Sequence, residues 1–438
     1  MAKKKNNLTL EEKLQNALVP KEEQPYQIPD NWVWTRLTEA YTNVTSSQKK
    51  LKEKEYLING EYPVIDQGKT EIGGYSNNKA LLYNMDLPVI VFGDHTRSIK
   101  YIDFNFIQGA DGVKVLKPRE NWYPKCFYYA LLSVPIQDLG YRRHFSIFKN
   151  YFIPLPPLLE QQRIVERIES LFSKLDEAKE KIQMSLDSFE TRKSAILYQA
   201  FSGELTKKWR EENGLRLDDW EKEELRERCH INPKKIATKE LSDSIDITFI
   251  PMASVSDVLG QVSMPMIKKL GEYKKGYTNF NQGDVLFAKI TPCMENGKIA
   301  IVGELENNIG FGSTEFYVFR CKENTYNRFI YHLLRWKKFR EEARNVMSGA
   351  VGQQRVPKSF LEEYKLCFPS LEEQKEIVRI LDTIFEKEQD TQELIDLIEK
   401  IDLMKKSILA RAFRGELGTN LPEEESAIEL LKSILEEQ

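Results

Sequence analysis

The sequence is poor in the residues that build metal centres and covalent frameworks. Its 438 residues include 5 cysteines and 4 histidines, with no C-x-x-C, H-x-x-x-H or H-E-x-x-H spacing among them. Cys126, Cys229, Cys293, Cys321 and Cys367 are therefore expected as free thiols, without structural zinc. Long apolar runs are missing too, since nothing approaches the roughly 18 residues of a membrane span. The basic start Met1-Ala2-Lys3-Lys4-Lys5 meets Glu11 and Glu12 before a secretory leader could form, so a cytoplasmic protein is expected. Charge of one sign is not in excess: 64 Lys+Arg against 67 Asp+Glu leave a net −3, which excludes a uniformly basic nucleic-acid binder. Catalytic signatures are also absent. The dispersed histidines give no Ser-His-Asp or Cys-His arrangement. Gly68-Lys69-Thr70 imitates the end of a phosphate loop, but the glycine required five positions earlier is Pro63. The N-P-P-aromatic segment of an amine methyltransferase is missing, because Asn232-Pro233 continues as Lys234-Lys235. Glu177/Lys179 and Glu373/Lys375, which imitate a nuclease pair, fall on helical stretches and read as exposed charge.

What is present is 41% apolar residues beside 30% charged ones, enough for real cores and for long exposed helices. The charge is uneven. Residues 30–152 carry 16 Lys+Arg against 13 Asp+Glu, residues 218–367 carry 23 against 21, and the remainder carries 25 against 33. Mildly basic blocks joined by acidic helices could hold a polyanion on the first and protein partners on the second.

The strongest feature is a repeat at nearly half the chain length. Glu160-Gln161, Ile164-Val165, Ile168, Leu171 and Phe172 recur 213 residues later as Glu373-Gln374, Ile377-Val378, Leu381, Ile384 and Phe385. At an offset of 212, Lys193-x-x-Ile196-Leu197-x-x-Ala200-Phe201-x-Gly203-Glu204-Leu205 matches Lys405-x-x-Ile408-Leu409-x-x-Ala412-Phe413-x-Gly415-Glu416-Leu417. Each copy follows an apolar run closing in proline, which stops a strand and sets up a helix. In the first copy Ile164, Ile168, Leu171, Leu175, Ala178, Ile182, Ser185 and Phe189 step by four and three, the seam of a coiled coil. In the second copy Ile377, Leu381 and Ile384 begin such a seam, which Glu388 and Thr391 interrupt. A helix from Glu160 to Ser202 would span roughly 65 Å, and Gly203 and Gly415 are natural stops. Two apolar stripes in one chain are most simply buried against each other.

The block before each rod opens alike, Trp32 to Leu37 and Trp220 to Leu225, and then diverges. Both blocks are mixed, with strand-like runs at Leu87–Phe92, Val285–Phe287 and Phe316–Phe319 and helical stretches near 124–133 and 327–346. Trp32 and Trp220 read as core anchors. The fold expected is α+β: two mixed α/β domains joined and followed by two long helices packed as an antiparallel coiled coil, with pseudo-two-fold symmetry.

With Ile153-Pro154-Leu155-Pro156-Pro157-Leu158-x-Glu160-Gln161-x-x-Ile164-Val165 and the Ala-Phe-x-Gly-Glu-Leu endings at Ala200 and Ala412, the chain closely resembles the DNA-specificity subunits of type I restriction-modification systems. The resemblance covers nearly the whole chain. It departs at Ser370, which stands where the first copy has Pro157. It implies two target-recognition domains, at 30–156 and 218–369, and helical regions at 157–217 and 370–417. Residues 1–29 are an N-terminal extension with a short helix expected at Leu10–Leu18, and 418–438 a C-terminal tail. It further implies a non-catalytic chain that reads a bipartite site in double-stranded DNA, one half per domain. The helices set the spacer and dock two modification subunits, alongside restriction subunits. No cofactor is expected in this chain; S-adenosylmethionine, ATP and magnesium belong to the partners. A self-contained modification enzyme and a coiled-coil scaffold that binds no DNA are the competing classes.

Base edges are read by Arg or Lys on guanine, Asn or Gln on adenine, and Asp or Glu on cytosine. Loops that mix these types with glycine are the candidates. The first block offers 66–69 with Gln67 and Lys69, 93–97 with His95, Thr96 and Arg97, Gly109-Ala110-Asp111-Gly112, and Arg142-Arg143-His144. The second offers Lys289, Thr291, Glu295, Asn296 and Lys298 in one stretch, then Ser313 and Thr314, and Gln353, Gln354 and Arg355. Each reads equally as a solvated turn. Lys49-Lys50, Lys268-Lys269 and Lys337-Lys338 read as solvated surface or phosphate contacts.

Overall fold

A computed structural model describes residues 9–83, 86–110, 112–138, 140, 142–234, 240–350, 352–385 and 389–436. The chain divides into two compact units, Met1–Lys179 with Glu399–Gln438, and Glu180–Ile398. This division cuts through both rods, so the six segments expected from the sequence are not the units of compactness.

In the first unit, strands order as (Tyr41–Asn43)-(Val113–Pro118)-(Val89–Gly93)-(Ile99–Ile102), all antiparallel. A second sheet orders as (Gly74–Ser76)-(Tyr62–Ile65)-(Ile107–Gln108), its last pair parallel. The central strand Val89–Gly93 is buried at every position, which is why its sequence is a continuous apolar run without alternation. The second unit repeats this plan although its sequence differs. One sheet is (Cys229–Ile231)-(Phe316–Cys321)-(Val285–Ala288)-(Ile299–Ile301), and the other (Met266–Lys269)-(Asp246–Ile250)-(Gly310–Gly312)-(Thr278–Phe280), again with a parallel pair inside. Each head is closed by a two-stranded ladder joining its first strand to its last, Val33–Arg36 with Phe152–Leu155 and Glu221–Glu224 with Lys365–Phe368.

The first rod is a helix over Leu158–Ser202. The second runs over Leu371–Phe385 and Gln389–Ala412; Glu388 and the side chain of Thr391 lie outside the described residues. None of these helical residues is glycine or proline, which would weaken or break a helix interior. The departure at Ser370 leaves the helix start in register with the first copy: Ser370 Oγ accepts the Glu373 N–H at 3.2 Å, a capping bond. Both rods stop at glycines in the left-handed region, Gly203 at φ +82° and Gly415 at φ +76°. A Cβ there would lie 2.4 Å from Leu217 Cδ1 and 2.4 Å from Pro29 Cγ respectively.

The rods run antiparallel within the first unit, where Asp176 pairs with Lys405, and Lys179 with Asp402 at 2.8 Å. At each end the expected seam merges with the core of a head. Ile164 and Ile168 are fully buried, but in a core they share with Trp32, Phe127 and Phe413, and Ile377 and Leu381 likewise join Phe201, Trp220 and Phe329. The first turns of each rod thus share a core both with a head and with the last turn of the opposite rod, Leu409 and Ala412 in one and Leu197 and Ala200 in the other. Leu171, Leu175, Ile182, Phe189 and Ile384 are half-buried, since a two-helix ribbon covers only one side of each. Ser185 is exposed and Leu186 takes its place, because the stripe takes two successive four-residue steps, Ala178 to Ile182 to Leu186, before the three-residue step to Phe189.

The N-terminal extension and C-terminal tail are not appendages. The helix Leu10–Ala17, capped by Thr9, packs against the helix Ala427–Glu436, and Lys13 Nζ donates to the Leu435 carbonyl at 2.9 Å. Tyr26 donates its hydroxyl to the Phe413 carbonyl, and Arg163 forms a two-pronged pair with Glu424 at 2.8 and 2.7 Å.

Candidate nucleic-acid interface

The Glu-Gln dipeptide that marks each repeat is what ties head to rod. Gln161 Oε1 accepts the Tyr123 N–H at 2.7 Å while its amide donates to the Asn121 and Pro156 carbonyls. Gln374 does the same with Tyr326 N–H and the Asn324 and Pro369 carbonyls. Glu160, wholly buried, accepts from Trp32 Nε1 at 2.6 Å, Thr419 Oγ1 at 3.1 Å and Asn420 Nδ2 at 2.8 Å. Glu373 accepts from Trp220 Nε1 at 3.0 Å, Thr206 Oγ1 at 2.6 Å and Arg210 at 2.6 Å. The two tryptophans are core anchors with a polar tip, as expected. The role of the carboxylates was missed; a tryptophan opening each block and a repeated Glu opening each rod were the available signal.

On that frame the first head gathers loops that are far apart in sequence. The Gln67 carbonyl accepts from Thr96 Oγ1 at 2.5 Å and Ser98 Oγ at 2.9 Å, and Gln67 Oε1 accepts the His95 N–H at 3.2 Å. The Asp94 N–H donates to the Gly112 carbonyl at 2.6 Å, and the Asp94 carbonyl accepts the His144 N–H at 2.9 Å. The four candidate loops therefore meet at the end of Val89–Gly93, although Asp111 lies outside the described residues. Within the cluster the roles divide. Gln67 and the buried His144 hold the turns together, as does Lys100, whose ammonium lies 2.8 Å from the Asp66 carbonyl. Arg97, at φ +61°, pairs with Asp138 at 2.6 Å. Lys69, Thr96, Arg142 and Arg143 are exposed, and the last two form no ion pair with a described residue.

The second head builds the same junction at the end of Val285–Ala288. Lys289 N–H donates to the Glu315 carbonyl, Val356 N–H to the Lys289 carbonyl and Thr291 N–H to the Gln354 carbonyl, at 2.9 to 3.0 Å. The carbonyl of Lys289 takes the place of that of Asp94, so Arg355 corresponds to Arg143. Arg355 holds Glu315 through bonds of 3.0 and 2.9 Å, which keeps that carboxyl below its ordinary pKa. Lys298 turns inward and donates to the Met252 and Val255 carbonyls, while Glu295 pairs with Arg344 at 2.9 Å. Lys289 lies over the Tyr317 ring at 5.2 Å and Ser313 Oγ accepts the Glu315 N–H. The exposed members are Asn296, Thr314 and Gln353. Asn296 also borders a cleft of about 520 Å³ lined by Arg335, Lys337 and Arg340.

Of the lysine pairs, Lys49 donates to the Leu82 carbonyl at 3.2 Å and Lys269 pairs with Asp246 at 2.7 Å. Lys338 covers the Trp336 ring at 5.3 Å. Lys337 lines the same cleft as Asn296.

The model of the type I restriction modification DNA specificity domain matches residues 29–186 and again 217–400. The specificity subunit of the Escherichia coli type I restriction enzyme EcoAI is 34% identical over 265 residues, which is 50% of this chain and 44% of that one. That of the Escherichia coli enzyme EcoEI is 32% identical over 264 residues, again 50% and 44%. The chain thus spans less than half the length of these relatives in the match. A chain solved in work on assembly and conformational transition of the type I R-M system superposes with a TM-score of 0.60 at 17% identity, covering 90% of this chain and 100% of that one, which shows the shared fold. No helix among the described residues is long and apolar enough to cross a membrane. With two copies of the family domain filling most of its length, the chain belongs to the type I restriction-modification DNA-specificity family.

Proposed function

We propose that this chain is the sequence-reading subunit of a type I restriction-modification complex, each head reading one half of a bipartite DNA target. The observation that carries the reading is the pair of loop junctions. Two heads of one topology present equivalent edges with different side chains, Lys69, Thr96, Arg142 and Arg143 against Asn296, Thr314 and Gln353. A common frame with divergent tips is what recognition of two unlike half-sites requires. The rods set the spacer and dock two modification subunits, with restriction subunits completing the assembly. S-adenosylmethionine, ATP and magnesium act in those partners, and this chain performs no chemistry of its own in the cytoplasm.

The test is to graft residues 218–367 from a relative, assemble the complex with modification subunits, and map methylated bases. One half-site should change and the other persist; a change in both would overturn the modular reading. The chain alone, with S-adenosylmethionine and DNA, should leave the DNA unmodified.

At the tips, Arg142→Ala and Arg143→Ala should separate two kinds of contact. A phosphate contact lowers affinity on all sequences and reduces the salt slope by about 0.9 per charge. A base contact costs about 1–3 kcal/mol on the cognate site alone. Asn296→Ala should behave as the second kind. Unchanged binding in all three variants, measured by titration at two salt concentrations, would remove these edges from the DNA interface.

A further inference from the structure

We propose that Cys229 and Cys321 form a dithiol that a hydroperoxide converts to an intramolecular disulfide. They stand opposite one another on antiparallel strands. Lys322 N–H donates to the Arg228 carbonyl at 3.0 Å and Asn232 N–H to the Val318 carbonyl at 2.8 Å, which makes 228/322 and 232/318 hydrogen-bonded pairs. By alternation 229/321 is a non-hydrogen-bonded pair, the closer kind, with Cα atoms about 4.5 Å apart. That spacing lies at the short end of the range of roughly 4.4–6.8 Å that a disulfide bridges. The sulfurs are 3.7 Å apart, against about 2.05 Å when bonded, a gap that side-chain rotation can close.

The two thiols are unequal. Cys321 is half-buried and meets an oxidant first, while Cys229 is buried, and its hydrogen bond with Cys321 together with burial holds its thiol well above the ordinary pKa. Cys321 thiolate attacks one oxygen of hydrogen peroxide, the O–O bond breaks, and the expelled hydroxide takes up the proton that Cys321 lost, giving a sulfenic acid and one water. Cys229 sulfur then displaces the sulfenic hydroxyl, which leaves with the Cys229 proton as a second water. Two thiols are oxidised and one peroxide is reduced. The bond would fasten the edge strand Cys229–Ile231 to its neighbour at the end of Phe316–Cys321 remote from Ser313 and Thr314, so DNA binding should not change.

Hydrogen peroxide treatment of the purified full chain, followed by alkylation and peptide mapping, tests this. The expected result is one cross-linked peptide pair holding Cys229 and Cys321, with Cys126, Cys293 and Cys367 still free, a melting temperature several degrees higher, and reversal by dithiothreitol. Cys229→Ser and Cys321→Ser should each abolish the link while melting near the reduced chain. Cys321 recovered as sulfinic acid, or joined to Cys293, Cys367 or a second chain with Cys229 still reduced, would overturn the proposal.

Discussion

Deleting residues 419–438 should abolish the cooperative fold of the first unit and leave the second intact. The segment buries Ala427, Leu431, Ile434 and Leu435, and three of these sit in the core with Trp32 and Ile164. At about 1.5–3 kcal/mol for each of the three large side chains, the apolar loss alone is roughly 5–9 kcal/mol. The deletion also removes Thr419 and Asn420 from the buried Glu160 and Glu424 from Arg163. The sum rivals the roughly 5–15 kcal/mol that holds a whole domain. Hydrogen exchange should therefore show Val89–Gly93 unprotected and Val285–Ala288 still protected. Equal protection of both strands would show that the segment merely decorates the surface.

The second large effect is expected at Glu373. Glu373→Ala leaves Arg210, 5% exposed at its side chain, without its carboxylate partner, and breaking a buried pair from one side costs about 3–5 kcal/mol. Removing the cation as well, in Glu373→Ala with Arg210→Met, should recover part of that loss, because no buried charge is then left unpaired. Glu160→Ala also orphans three donors, Trp32, Thr419 and Asn420, but all are neutral, so it leaves no unpaired buried cation and should cost less. Denaturant melts of the four proteins followed by tryptophan fluorescence rank these costs. A Glu160→Ala loss equal to that of Glu373→Ala would show that the ion pair adds nothing to the hub.

The sequence by itself determined the features that repeat along the chain or depend on neighbours a turn away. The rods were readable because their apolar residues recur at helical spacing without glycine or proline, and helix stops at Gly203 and Gly415 follow from backbone sterics. The heads' strands were readable where burial on both faces writes an unbroken apolar run, as at Val89–Phe92. The loops that meet at each junction were also picked out, because turn residues mixed with cations and amides mark them locally. Only the tertiary structure decided which side chains in those loops face outward. Lys298 and Asn296 are two residues apart and chemically both plausible readers, yet Lys298 reaches carbonyls of Met252 and Val255, some forty residues away in sequence, while Asn296 stays exposed. That choice is made by partners no local pattern contains. The same holds for the chain's two ends: nothing near Leu14 announces Leu431, and their place in one core follows from burying apolar faces that each short helix, alone, would leave in water.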